Sequence, residues 1–447
     1  MAERGRRVSR SSESSEDDAY LETPASNVVA TKYAMAAYIV NAVLKVGFKT
    51  YYRQKSLQEV LAAIKDGVEV GKICDLGDNL MNERMGKVFK KEKDSLKGIA
   101  MPTCVSINNC VCHFSPLRSD TPVIITNGQM VKVDLGAHID GYIATAAHTI
   151  VVGASENNKV SGKKANVMLA AYHALEAAIR MLRPGLYKNM EITDMIDKIA
   201  NIYQVKPVEN MLSHELRKNK IDGKKQIIQN PGERQRSEVT KCVFQKFEVF
   251  AIDILMSTGE GKTRVLDART TVYKKVEDLA YSLKVKASRM FLTAAVNKYG
   301  LMPFTLRSFE DEKLAKLGVL ECERHNLMRP YQVLYEREGE FVAQFKSTVL
   351  IMPNGLVKIT GFPLELNLLE SEIKIEDQVI LSLLNSSLKH RKSKKKSKVD
   401  KKNESNAPTK VDALKHKANE GGQAKSEGGK QEIPHALSDK EKNIEET

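Results

Sequence analysis

A carboxylate stands in the middle of an apolar strand. Val131, Val133 and Leu135 alternate with Lys132 and Asp134, the two-residue period of a half-buried strand. Burying Asp134 unpaired costs several kcal/mol, so the fold must bring it partners. Gly136 and the pair Asp140-Gly141 carry turn chemistry. Tyr142, Ile143, Thr149 and Ile150 then restart an extended run, so Val131–Ile150 reads as a β-hairpin. Two other constellations invite chemistry and fail. Cys110-Val111-Cys112 is too tight for the usual zinc knuckle. With the scattered Cys74, Cys104, Cys242 and Cys322 it reads as reduced thiols of a cytosolic or nuclear protein. Gly259–Thr263, GEGKT, ends like a phosphate-binding loop, but that motif needs Gly at 256 and Met256 stands there.

Charge points to a partner. The net charge is +14, and residues 389–447 hold sixteen Lys and Arg against ten Asp and Glu, so the excess lies in the body as well as the tail. A basic body with a basic tail fits a polyanion, RNA or an anionic membrane surface. The tail run KHRKSKKKSKVDKK carries Lys389, Arg391, Lys392, Lys394, Lys395, Lys396, Lys398, Lys401 and Lys402. Such a block stays disordered and is expected to act as a nuclear or nucleolar address and an RNA contact. Two runs in the body are further candidate RNA contacts. One is Lys87, Lys90, Lys91, Lys93 and Lys97. The other is Arg217, Lys218, Lys220, Lys224, Lys225, Arg234 and Arg236, which Lys241 extends. No apolar run approaches the roughly 18 residues of a membrane span, and the first residues lack a secretory core, so no membrane insertion is expected.

The elements that must position these residues follow from periodicity. A helix from near Asn27 stops at Gly47, and a second covers Gly71–Phe89. Strand and loop fill 98–120, helices take 161–183 and Glu191–Tyr203, and Phe250–Ser257 and Phe341–Pro353 are buried strands. Residues 280–300 and 308–317 read as helices. A last amphipathic helix runs from about Glu376 to Leu388, where Ile380-Leu381-Ser382-Leu383-Leu384 comes near the LxxLL docking pattern but is expected to pack on the body. The expected organisation is a disordered arm over 1–26, with Ser11–Asp18 placing serines beside acids as phosphorylation sites. A domain over 27–365 follows, with a basic, loop-like insert at about 217–241. A short helical segment at 366–388 and a disordered lysine-rich tail at 389–447 complete the chain.

The hairpin KVDLGAHIDGYIATAAHT resembles the first metal-binding hairpin of the methionine aminopeptidases, peptidases of the M24 family with the pita-bread fold. The resemblance implies an α+β architecture of two pseudo-twofold halves, antiparallel sheets covered by helices. It also implies five ligand positions for two divalent ions. Carried over, these are Asp134, Thr145, His214 in PVENMLSHEL, Asp253 in FAIDILMS and Lys346 after Gln344-Phe345; His113 falls at the substrate-contacting histidine. Where catalytic relatives keep a bridging acid, this chain has an amine. At about 4 Å from a dication and an effective dielectric near 20, the repulsion is of order 8 kcal/mol. Lys346 is therefore expected to pair with Asp134 and Asp253, with no metal, no cofactor and no peptide hydrolysis. The wording of NNCVCHFSPLRSD, EVFAIDILMSTGEGK, MPFTLRSFEDEK and LYEREGEFVAQFKSTVLIMPNG resembles the proliferation-associated, ErbB-binding protein family over roughly residues 28–363. That implies a non-catalytic protein of cytoplasm, nucleus and nucleolus. Its expected partners are rRNA and structured RNA and the large ribosomal subunit. Roles in rRNA processing, translational control, growth and transcriptional co-repression follow, with a receptor tyrosine kinase cytoplasmic region and co-repressors as further partners.

Overall fold

The computed structural model describes residues 22–44, 60–92 and 95–389. The chain falls into two units, 1–394 and 395–447. The expected N-terminal arm, except for Glu22–Ser26, and the lysine-rich run beyond Lys389 lie outside the described residues, as does Lys93.

Among the described residues nine strands form one antiparallel sheet. Its order is β1 (Lys97–Ile107), β3 (Met130–Ile139), β4 (Tyr142–Val151), β14 (Val342–Met352), β8 (Val249–Ser257), β6 (Leu212–Leu216) and β7 (Gln226–Ile228). To these are added β15 (Gly355–Lys358) beside β14 and β5 (Lys206–Pro207) beside β8. The hairpin β3–β4 closes through Asp140 and Gly141, both at positive φ (51° and 80°), the backbone of a type I′ turn whose twist matches that of the strands. Asp140 also accepts from the Leu96 backbone N–H at 2.7 Å and pairs with Lys32 at 2.6 Å, which ties the turn to its surroundings.

Helices cover one face in two sets. Over β1, β3 and β4 lie α1 (Asn27–Leu44) and α3 (Val70–Lys87); Val40, Ile73 and Met81 close on Val131, Val133, Leu135 and Ala146. Over β8 and β14 lie α4 (Gly162–Met181) and α5 (Asn189–Ile202), whose Val167, Leu175, Ile192 and Ile196 meet Ile252, Ile254 and Phe345. Each half is thus a layer of strands under a layer of helices, the pita-bread arrangement. The two halves are joined at their centre through the pairs Lys346–Ala147 and Ser347–Ala146 of β14 and β4.

The opposite face is closed by a third body. Two small sheets lie there: β11 (Phe304–Thr305), β10 (Val272–Lys275) and β12 (Met328–Tyr331), and β2 (Cys110–Cys112), β13 (Leu334–Tyr335) and β9 (Arg264–Val265). With α7 (Lys286–Tyr299) and α8 (Glu312–Arg324) the first of these encloses a core of Phe291, Phe304, Val319 and Cys322, while the second packs on the large sheet through Val111 and Cys112 against Leu255 and Val342. This cover changes the reading of β3. The strand is buried on both faces, and Lys132, expected on an open face, is 1% exposed with Nζ donating to the Asn108 carbonyl at 2.9 Å.

Several boundaries move for identifiable reasons. The helix expected at 308–317 begins at Glu312, because the Asp311 side chain caps the Leu314 N–H. Ser308 belongs to a 3₁₀ turn capped by Thr305. The helix expected over Glu376–Leu388 is α9 (Gln378–Asn385), started by Asp377, which accepts from the Val379 and Ile380 N–H groups. The 217–241 insert is not a loop throughout: it contains β7 and the short α6 (Glu233–Glu238). One helix among the described residues, α1, is 18 residues long and apolar enough to cross a membrane, contrary to the sequence expectation. Val29, Tyr33, Ile39, Val40 and Leu44 are buried, and the helix packs on β3 and β4 as a core element.

Candidate functional site

Strand register builds the site. Asp134 faces Ala147, Ala147 faces Lys346 and Lys346 faces Asp253, so the three charged residues occupy one row across four neighbouring strands. Side chains alternate along a strand, so Thr145, two residues from Ala147, points to the same face. His214 faces Ala251, two residues from Asp253, and joins them. All five positions carried over from the sequence share the face away from the helices.

Lys346 reaches both acids. Its Nζ lies 2.6 Å from Asp134 Oδ2 and 2.9 Å from Asp253 Oδ2, and all three side chains are buried. Gln344, two residues before Lys346, donates from Nε2 to Asp253 Oδ1 at 2.9 Å and Oδ2 at 3.2 Å. Sequence reasoning passed over this glutamine, although its i−2 spacing from Lys346 in a strand was the signal. Burial opposes the charge on Lys346, yet Asp134 and Asp253 push it well above the usual lysine range. Burial raises Asp253; Lys346 lowers it and Asp134 raises it again, leaving it above the usual carboxylate range. Burial leads this shift, and one ammonium shared between two carboxylates does not fully offset it at Asp253.

The remaining positions are polar atoms without partners. Asp134 Oδ1, Thr145 Oγ1 and His214 Nδ1 are buried and unbonded. The Thr145 backbone is locked instead: its N–H donates to Thr348 Oγ1 at 2.9 Å, and its carbonyl accepts from Thr348 and Thr360 hydroxyls at 3.0 and 2.6 Å. Burial and the nearby Lys346 charge drive the His214 imidazole down to about 4. His113 follows β2 at a positive φ of 66°, lies edge-on to Tyr331, and is pushed to about 4 by the same two causes. Its Nδ1 donates to the Gln332 carbonyl at 3.2 Å, since a carbonyl only accepts. Both imidazoles are neutral at pH 7. Among the described residues no group of three or more His, Cys, Asp and Glu is arranged to hold a metal ion.

The basic runs are placed differently from a row of free cations. Arg217 pairs with Glu215, Lys218 with Glu22, Lys220 with Glu277, Lys225 with Glu248, Arg234 with Glu238, and Arg236 with Asp194 and Asp197. Lys87 pairs with Glu83, and Lys97 donates to the Val88 carbonyl. Lys90, Lys91, Lys224 and Lys241 are exposed. In the GEGKT stretch the Gly261 N–H donates to Glu336 Oε2 at 2.7 Å, so an internal carboxylate takes the place a phosphate would need.

Similarity to known proteins agrees with this architecture. The metallopeptidase family M24 profile matches residues 53–267. Proliferation-associated protein A of Dictyostelium discoideum is 43% identical over 83% of this chain and 91% of its own length. ERBB-3 binding protein 1 of Arabidopsis thaliana is 44% identical over 79% and 86%. The solved structure of a thermophilic Arx1 superposes with a TM-score of 0.74 at 32% identity, covering 82% of this chain and all of that one. On these grounds the chain belongs to the proliferation-associated, ErbB-binding protein family, a branch of the M24 pita-bread fold.

Proposed function

We propose that the protein is a non-catalytic pita-bread scaffold that binds structured RNA and associates with the large ribosomal subunit. The observation that carries the first half is Lys346. Its ammonium lies between the two carboxylates that a pair of divalent ions would require, 2.6 and 2.9 Å from their oxygens. A dication placed there meets a fixed positive charge in a buried site, and Thr145 offers a neutral hydroxyl where a hard ion prefers carboxylate. The residues do not fit the ion pair. Without it the site has no activated water and no Lewis acid, and both its imidazoles are neutral.

The second half rests on charge and on kinship. The +14 excess is shared by body and tail, and with most cations of the 217–236 run paired internally, the lysine-rich stretch from Lys389 to Lys402 is the main RNA contact. Lys90, Lys91, Lys224 and Lys241 are the free body cations that extend it among the candidate runs. We place the protein in cytoplasm, nucleus and nucleolus, with roles in rRNA processing, translational control and growth.

The test is sedimentation of the cellular protein with ribosomal subunits before and after a high-salt wash, together with metal analysis and a Met-peptide release assay on purified protein. Salt-sensitive co-sedimentation with the large subunit, no stoichiometric metal and no turnover are the expected results. Two bound ions with turnover would replace this reading by an aminopeptidase. The name ERBB-3 binding protein 1, borne by the Arabidopsis thaliana relative, favours a second reading, an adaptor that docks a receptor kinase tail or co-repressors. Contacts of that kind survive RNase treatment.

A further inference from the structure

The helix-covered face holds a cavity that the vestigial site does not touch. It lies on the seam between the two halves, where β4 and β14 join through two residue pairs and the helix sets diverge. Its volume is about 270 Å³. Leu61 and Ile64, at and just after α2 (Val60–Ala63), line one side, and Met168 of α4 another. The segment after β15 forms a further wall through Leu364 and Leu368, stitched to the body where the Val160 N–H donates to the Leu368 carbonyl at 2.9 Å.

One polar side chain in this lining has nothing to bond among the described residues. His148 is 5% exposed, its ring is edge-on to Phe345, and it makes no hydrogen bond to any described residue. The neighbouring Thr149 hydroxyl is already committed to the Gln344 carbonyl at 2.7 Å. Among the described residues the lining contains no lysine or arginine, and its one carboxylate is Glu365, which disfavours an anionic occupant.

From this cavity and its unpartnered imidazole we infer a binding site for a small, neutral, planar aromatic molecule of about two fused rings carrying one hydrogen-bond donor. An apolar cavity of about 150 Å³ holds a single benzene ring, so this volume admits a second ring. The donor of the ligand meets the free ring nitrogen of His148. Burial and the Lys358 charge hold that imidazole near 4, so it is an acceptor at neutral pH.

Indole and its carbon isostere indene separate the shape of the site from its hydrogen bond. Calorimetric titration of the full chain at pH 7 is expected to show one saturable site for each, with indole bound more tightly. Substituting His148→Leu should weaken indole about tenfold and leave indene within about twofold, the loss of one hydrogen bond. Leu368→Trp, which fills the cavity from its part-exposed wall, should abolish both. The inference is overturned if wild-type protein shows no saturable indole binding. It is also overturned if Leu368→Trp leaves binding intact, or if His148→Leu affects both probes alike or neither. The wild-type titration decides the matter even where a variant fails to fold.

Discussion

Two lysines on the same face of the sheet have opposite consequences. Lys346 stabilises because two carboxylates share it. Replacing it with Met leaves two buried, mutually repelling acids, so Lys346→Met should lose about 3–5 kcal/mol in urea unfolding at pH 7. In that variant burial and the repulsion of Asp134, with no lysine to offset them, hold Asp253 above the unfolded carboxylate range. The folded state then binds more protons near pH 5 than the unfolded chain does, and the deficit should shrink on acidification from pH 7 to 5. In the wild type the contribution of Lys346 is complete below the ordinary lysine value of 10.5 and is lost only as pH rises through its higher folded value. Lys132 is the reverse case. Burial lowers it to about 8, with the Cys110 and Cys112 thiols only partly offsetting this. Between about 8 and 10.5 the unfolded chain binds more protons, so this group makes stability rise with pH. Lys132→Met should therefore raise stability at pH 7 by about 1–2 kcal/mol, and the gain should vanish as pH approaches 10.5. Of this chemistry Asp134 was legible in the sequence, as a carboxylate on the polar phase of a two-residue period, in a run from Val131 to Leu135 otherwise apolar apart from Lys132. Its partner was not, apart from family resemblance: Lys346 is 212 residues away, and only the register of four strands puts them in one row. The unbonded His148 had no signal at all, since it looks like any histidine in a strand.

At the level of elements, the tightest approaches are where substitution has the largest effect. A Cβ on Gly318 in α8 would lie 2.4 Å from the Phe291 Cβ in α7, so the two helices cross with no room for a side chain. Gly318→Val should cost about 2–3 kcal/mol by overpacking, measured as a lowered denaturation midpoint at unchanged slope. In α9 only Ile380 is fully buried, with Leu383 and Leu384 partly buried against the same core. Ile380→Ala should cost about 2–4 kcal/mol and should expose the 363–388 segment to limited proteolysis before the rest of the chain. The burial of this side answers the docking-motif question: the apolar residues that resemble LxxLL hold the segment to α4. The existence of the longer helices was readable from periodicity, whereas the short α2 and α6 were not. Helix starts were not, because Asp311 and Asp377 cap through side-chain geometry that periodicity does not encode.

For the whole molecule, the expected separation is between a basic body whose candidate runs are mostly paired internally and a lysine-rich tail. Deleting 389–447 should weaken binding to structured RNA. The slope of log affinity against log salt should also become shallower, by about 0.7 to 0.9 for each phosphate that the shortened chain no longer neutralises. Fluorescence anisotropy across a salt series reads both. Neutralising Lys90, Lys91 and Lys224 together should change the slope less than the deletion does. The two-halved architecture was accessible only through the family resemblance that the motif wording carries, since the sequence shows no repeat of its own. The closing third body was not, because its helices and short strands bury the second face of β3 through contacts distant in sequence.

A cation supplied by the chain itself has a consequence for how the molecule matures. A metallopeptidase of this shape needs its ions before its centre is electrostatically balanced, so chelation or scarcity of manganese or cobalt leaves it incomplete. Here the neutralising charge is translated along with the strand that carries it. Assembly should proceed unchanged in chelator, and the abundance of the protein should be independent of the trace-metal status of the cell.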